Sequence, residues 1–289
     1  MRDFVIMTDS CCDLTAQLAE EMEVTVLPLS VLVGEDSYRN YLDGREIGFK
    51  DFYDRVRNGA MPTTSAVSVG DFEEAMREAL EAGKDILCLN FSSALSTTYQ
   101  SAVIAANELK DEFADATIHV VDTLSASLGQ GLLVYLCVQQ KKAGKSLEEV
   151  WAYAEEMKHH MAHWVTVDDL NHLKRGGRVS ATAAAFGTML HIKPIIYVNE
   201  EGKLISVGKA RGRKAALMNV VDELEKRLMD PKLPVFISHG DCEEDAKVVA
   251  AEVTKRTGAE VRLISYVGPV IGAHTGAGVI ALCFVGKER

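Results

Sequence analysis

The sequence predicts an α/β protein, with an N-terminal doubly wound parallel-sheet domain and a C-terminal α+β domain. Three observations lead there. Over residues 1–163, short apolar runs alternate with longer helical patterns. That is the rhythm of a parallel sheet connected through helices. After Trp164 the rhythm changes, and two β-rich runs flank Asn199-Glu200-Glu201-Gly202 as an antiparallel hairpin would. Hydroxyl-rich turns follow strand-like runs, and open α/β sheets bind ligands at the carboxyl ends of their strands. The boundary is placed near residue 163, giving domains 1–163 and 164–289.

The elements follow in order. Phe4 to Ser10 reads as a strand, and Asp13-Leu14-Thr15 can cap the next helix. Val24 to Val33 is β-branched and apolar and reads as one second strand. Residues 34–48 are polar with a turn at Asp43-Gly44, and an amphipathic helix spans Phe49 to Asn58. Pro62-Thr63-Thr64-Ser65-Ala66-Val67-Ser68 leads to Asp71, a candidate N-cap for a helix to Leu80. A strand at 85–90 precedes a helix from about Leu95 to Leu109. Thr117 to Val121 is a strand, and Asp122-Thr123-Leu124-Ser125 caps a helix over about 126–142. Ser146, with Glu148 and Glu149, opens another that ends near His160. In the second half the hairpin strands are 194–198 and 203–207, followed by a long helix from Lys214 to Met229. Strand 234–238, helix 243–256 and strands 260–266 and 279–285 complete the chain.

Composition excludes several classes. Of 289 residues, 47% are hydrophobic and 25% charged, as in soluble globular proteins. No apolar run approaches the roughly 18 residues of a membrane helix, and the first residues lack a signal-peptide pattern. A cytoplasmic protein is expected. The cysteines are Cys11, Cys12, Cys88, Cys137, Cys242 and Cys283, mostly in apolar runs and without zinc spacing. Buried free thiols are expected, with no metal site and no cofactor. A net charge of −11 argues against nucleic acid as a partner. The charge is uneven: Lys174 to Lys214 holds nine bases against Glu200 and Glu201. That window reads either as solvated loops or as a docking face for an acidic partner or a phosphate.

The chemistry concentrates in three turns. Asp85-Ile86-Leu87-Cys88-Leu89 runs into Ser92-Ser93-Ala94-Leu95-Ser96-Thr97-Thr98, five hydroxyls in seven residues. The others are Pro62 to Ser68, and Gly268 to Gly278 with His274 and Thr275. Together they suggest a site that holds a small anion by hydrogen bonds and attacks nothing. His274 sits among glycines, where an imidazole could bind a carboxylate. Catalytic motifs are otherwise missing: there is no G-x-S-x-G, no H-E-x-x-H and no complete P-loop. Gly276-Ala277-Gly278 leads into a strand, so the dinucleotide-loop context fails. His159 and His163 could share a helix face, but no third ligand lies close, and surface or core histidines are the better reading. Asp168-Asp169 read as a helix cap.

At this point the chain resembles the DegV family, the fatty-acid-binding partner of bacterial fatty acid kinase. The carrying segments are Thr64 to Ser68, Ser92 to Ala102 and Val121-Asp122-Thr123. They continue with Leu173-Lys174-Arg175-Gly176-Gly177-Arg178-Val179-Ser180, Ala210-Arg211-Gly212-Arg213-Lys214 and Ile271 to Gly276. The resemblance runs the full length. It implies a long-chain fatty acid enclosed between the two domains, its carboxylate held by Thr64 and Ser93 near His274. Ser65, Ser96 and Thr275 complete the expected head-group set. It implies no catalytic residue and no activity alone. A separate ATP-dependent kinase would phosphorylate the bound carboxylate to an acyl phosphate, with Arg211 on its docking side; the basic window extends that expected face to Arg213 and Lys214, and transient membrane contact is allowed. Ala181 to Met189 is a candidate lining helix. The family often has Gln-Pro at Ala66-Val67 and Gly at Thr97, so this head-group site departs in detail.

Two rival readings remain. One is a small-molecule hydrolase or transferase using Ser93 and His274, although no acidic residue is evident to orient the imidazole. The other is a sugar- or phosphate-binding module built on the same turns.

Overall fold

The computed structural model describes residues 2–179 and 191–289. The expected helix Ala181 to Met189 lies outside the described residues.

The parallel sheet has the order β2-β1-β6-β7, from β1 (Phe4–Asp9), β2 (Val24–Leu27), β6 (Asp85–Asn90) and β7 (Ile118–Asp122). Its strands alternate sides as their sequences do. Ile6, Leu87 and Leu89 belong to one core cluster, while Met7, Ile86 and Cys88 belong to another. The second cluster packs under α3 (Val69–Glu81) and α4 (Thr98–Lys110). The first packs under α5 (Ser127–Lys142) and α6 (Leu147–Met157). A central strand apolar on both faces must be covered on both, which is what winds the sheet twice.

The mixed sheet has the order β10-β9-β8-β13-β11-β12. Its strands are β8 (Met161–Thr166), β9 (Ile192–Val198), β10 (Leu204–Arg211), β11 (Val235–His239), β12 (Val261–Tyr266) and β13 (Ile280–Val285). The β9–β10 hairpin is antiparallel as expected, and only β11 and β12 run parallel. One face carries α8 (Arg213–Arg227) and α9 (Glu243–Thr257) over Trp164, Ile237 and Leu282. The other face lies on α5. Helix α5 thus touches both sheets, and it is buried nearly all round. A helix with no polar face belongs in a core. The boundary expected at 163 falls within β8, which begins at Met161.

Several local expectations are corrected. The run Val24 to Val33 is two strands, because Pro28 offers no amide to a ladder. β3 (Ser30–Val33) leaves the parallel sheet for a small antiparallel sheet, β4-β3-β5, with β4 (Asp36–Arg39) and β5 (Thr63–Ser65). Helix α3 is capped by Ser68, whose hydroxyl accepts from the Asp71 amide, so Asp71 sits inside the first turn. Helix α4 begins at Thr98, because the hydroxyl turn occupies the residues before it. Residues 122–125 do not cap α5. Its N-cap is Ala126, and Asp122 instead accepts from the Ser93 and Leu124 amides. His159 lies in a 3-10 turn and His163 in β8, so they share no helix face. Helix α1 (Ala16–Glu21) is capped by Thr15, and α2 (Phe49–Arg57) forms as expected. Among the described residues two short α-helices remain, α7 (Asn171–Arg175) and α10 (Pro269–Thr275).

Candidate functional site

A cavity of about 410 Å³ lies between the sheets, at the carboxyl end of β6. Its apolar wall comes from both halves: Phe91 and Leu95 from one, Val165, Val198 and Leu204 from the other, with Ile271 of α10. All six expected head-group residues line it: Thr64, Ser65, Ser93, Ser96, His274 and Thr275.

Those six are not equivalent. Thr64 Oγ1 lies 2.8 Å from His274 Nε2, joining β5 to α10. Burial, and then the nearby Arg178 charge, push the His274 pKa down to about 4, so the ring is neutral near pH 7. Its Nδ1 lies over Gly176, where a Cβ would come within 2.2 Å of it. The first Gly of Lys174-Arg175-Gly176-Gly177-Arg178 therefore makes room for the imidazole. Among the described residues no carboxylate reaches this ring, and no hydrogen bond joins Ser93 to His274.

The adjacent serines divide their work. Ser92 is fully buried, and its hydroxyl donates to the Gly202 carbonyl at 2.9 Å. Gly202, at φ 73°, tolerates this because a Cβ there would lie 2.2 Å from Ser92 Oγ. Ser93 is exposed to the cavity, and its hydroxyl has no hydrogen-bond partner among the described residues. Ser96 and Thr275 are more committed. Ser96 Oγ accepts from the Thr98 amide at 3.2 Å, and Thr275 Oγ1 donates to the Ile271 carbonyl at 3.1 Å.

Sequence reasoning left Arg178 out of the head-group set, although it quoted the motif that carries it. Its guanidinium lines the cavity and donates to the Leu95 carbonyl at 3.1 Å and to the Gly176 carbonyl. Among the described residues no carboxylate neutralises it. The Gly-Gly-Arg run inside the basic window was the available signal. The apolar wall had no comparable signal, because its residues are scattered over the chain.

The expected docking residues separate. Arg211 and Lys214 are exposed beside Gly212, between β10 and α8. Arg213 turns inward, to Asp245 at 2.8 Å and Asp168 at 3.6 Å. Lys193 also pairs with Asp168, at 2.6 Å. Cys242 is partly buried and the other five cysteines are buried, all six as free thiols. No helix among the described residues is long and apolar enough to cross a membrane.

Fold and cavity together define a class: an α/β protein whose parallel and mixed sheets flank an apolar cavity with a hydroxyl- and imidazole-lined mouth. The model of the DegV family, described as an uncharacterised protein family, matches residues 3–287. The chain belongs to the DegV family. A DegV domain-containing protein of Clostridium perfringens is 46% identical, over 100% of this chain and 99% of its own. Among solved structures, a fatty-acid-binding DegV family protein from Thermus thermophilus is 33% identical, with a TM-score of 0.87 over 99% and 100% of the two chains. A stearic-acid-binding protein from Eubacterium ventriosum is 27% identical, with a TM-score of 0.88 over 98% of each chain.

Proposed function

We propose that this protein binds a long-chain fatty acid in the cavity and presents its carboxylate to a separate ATP-dependent kinase, which makes the acyl phosphate. One observation carries the reading: an apolar cavity of about 410 Å³ ends in uncharged hydroxyls beside an arginine without a carboxylate partner among the described residues. The volume falls in the range of about 300–1,000 Å³ for small-molecule sites. Two relatives of the same fold bind fatty acids by name.

In this reading the proton of His274 sits on Nε2 and is donated to Thr64, whose hydroxyl then donates to the carboxylate. Ser93 donates to the other oxygen, and Ser65, Ser96 and Thr275 complete the mouth. Arg178 supplies the positive charge. Burying about 14 methylenes at roughly 0.8 kcal/mol each contributes about 11 kcal/mol gross. Each bond to the charged head adds about 1.5–3 kcal/mol, against its desolvation. The tail supplies affinity and the mouth supplies orientation. The two units, divided near residue 163, close on the ligand from either side. The kinase meets the exposed face at Arg211 and Lys214, while Arg213 fixes the start of α8. No turnover is expected without the kinase.

The hydrolase reading finds less support, since nothing among the described residues orients His274 as a base toward Ser93. Native mass spectrometry of the purified chain tests the proposal. Co-purified fatty acid is expected, and phosphate or an empty site would count against it. Ester hydrolysis abolished by Ser93→Ala would revive the enzyme.

A further inference from the structure

We propose that Asp13 is a positioning residue for the bound acyl chain, tying the cavity wall at Ser127 to the base of the helix that carries His274. This rests on the fatty-acid reading above. Asp13 is 3% exposed and lies in the turn after β1. Its Oδ2 accepts from Ser127 Oγ at 2.5 Å, and its Oδ1 accepts from the Gly268 amide at 3.0 Å. Ser127 lines the cavity at the first turn of α5, and Gly268 is the N-cap of α10. Ser127 Oγ also lies 2.8 Å from Ser238 Oγ on β11. One carboxylate thus joins the parallel sheet, the shared helix, the mixed sheet and the helix of His274. Both Asp13 and Ser127 hold φ 52°, in the left-handed region that non-glycine residues seldom adopt. Such strain persists only where surrounding bonds enforce it.

The junction responds to protons. Burial raises the Asp13 pKa to about 7, against the lowering effect of its bonds to Ser127 and Gly268. The groups facing it are Asp9, Cys11 and Cys12 from its own segment, Tyr53 from α2 and Cys283 from β13. From α5, α10 and β11 it meets Ser127, Gly268 and the Ser238 hydroxyl beyond. No cation is among them. Burial raises the pKa values of the thiols and the phenol, so they stay neutral near pH 7. When Asp13 takes a proton, it donates to Ser127, Ser127 turns its hydroxyl to Ser238, and both carboxylate bonds lose their charge assistance. Charge-assisted bonds are roughly twice as strong as neutral ones. The wall and α10 are therefore held more loosely below about pH 7 than above it.

The test is release of cis-parinaric acid, a fluorescent fatty acid, from the loaded full chain into phosphatidylcholine vesicles, between about pH 5.5 and 8.5. In the wild type the release rate should rise on the order of tenfold as pH falls, the effect of weakening about one charged bond. Asp13→Asn should lack that step and release at the fast rate throughout. The ligand's own titration is common to both proteins and cancels in the comparison; losing the Asp13 charge moves any Asp9 step to lower pH and does not restore the Asp13 one. Parallel pH profiles for the two proteins would overturn the proposal. Ser127→Ala, which keeps the Gly268 bond, should also speed release above about pH 7; an unchanged rate would overturn the link to the wall. A wild type that takes up no cis-parinaric acid at any pH would instead strike at the fatty-acid reading itself.

Discussion

At the mouth of the cavity, Thr64 and His274 are half-buried, and Ser93 is exposed with its hydroxyl unpartnered among the described residues. On the wall, Phe91, Val165 and Ala281 are 7%, 7% and 5% exposed. The mouth keeps hydrogen-bonding capacity in reserve and contributes little to the core. The wall is core, shared between both sheets and α5. The difference teaches which substitutions should separate binding from folding and which should not.

The largest effect is expected from placing the same charge in the two regions. Val165→Asp buries a carboxylate without a partner and should cost about 3–5 kcal/mol or more of stability. Ser93→Asp should leave unfolding within about 0.5 kcal/mol of wild type, yet abolish loading by repelling the fatty-acid carboxylate. Denaturant midpoints and fatty-acid titration read the two separately. Equal destabilisation at both sites would break the distinction.

Next comes removal of the mouth's donors. Thr64→Val with Ser93→Ala should weaken binding by about 1.5–3 kcal/mol per lost bond at most, and loading should persist. A folded double mutant with no detectable lipid would show that the mouth, not the wall, dominates affinity.

A smaller effect concerns acid. The His274 pKa is held at about 4, against 6.5 for the free side chain. The unfolded chain therefore takes up a proton that the folded one refuses, and stability falls as pH drops from about 6.5 to about 4. His163 adds to the same loss, its pKa pushed down to about 3 by burial. His274→Gln should remove its share, a few kcal/mol at most. Melting temperatures of the two proteins should differ progressively across that window. A constant offset would mean that His274 titrates normally.

The smallest effect on binding belongs to the exposed rim. Arg211→Ala should leave fatty-acid affinity unchanged while acyl-phosphate formation with kinase falls, more so at low salt. If affinity falls in step with activity, Arg211 belongs to the ligand site.

Much of this was legible in the sequence, for identifiable reasons. Strands and helices betrayed themselves through period, and Ser92 to Thr98 through the density of hydroxyls after an apolar run. What escaped depended on distance in the chain. Ser92 and Ser93 are chemically identical neighbours, and only Gly202, far along the chain, decides which one is consumed. Asp13 was read as part of a local cap, whereas its partners are Ser127 and Gly268. Pro28 did carry a local signal: a proline inside an apolar run should have split it.

Helix α5 has one further consequence. Its sides are claimed by two sheets, so neither sheet can complete its core without it. A fragment ending near residue 163 would keep the helix but leave bare the side that meets the mixed sheet. The remaining fragment would lose the helix altogether. The halves are thus partners in one melting event, and calorimetry should record a single transition despite the separate sheets. For the same reason, any substitution in this one buried rod is answerable to both halves at once.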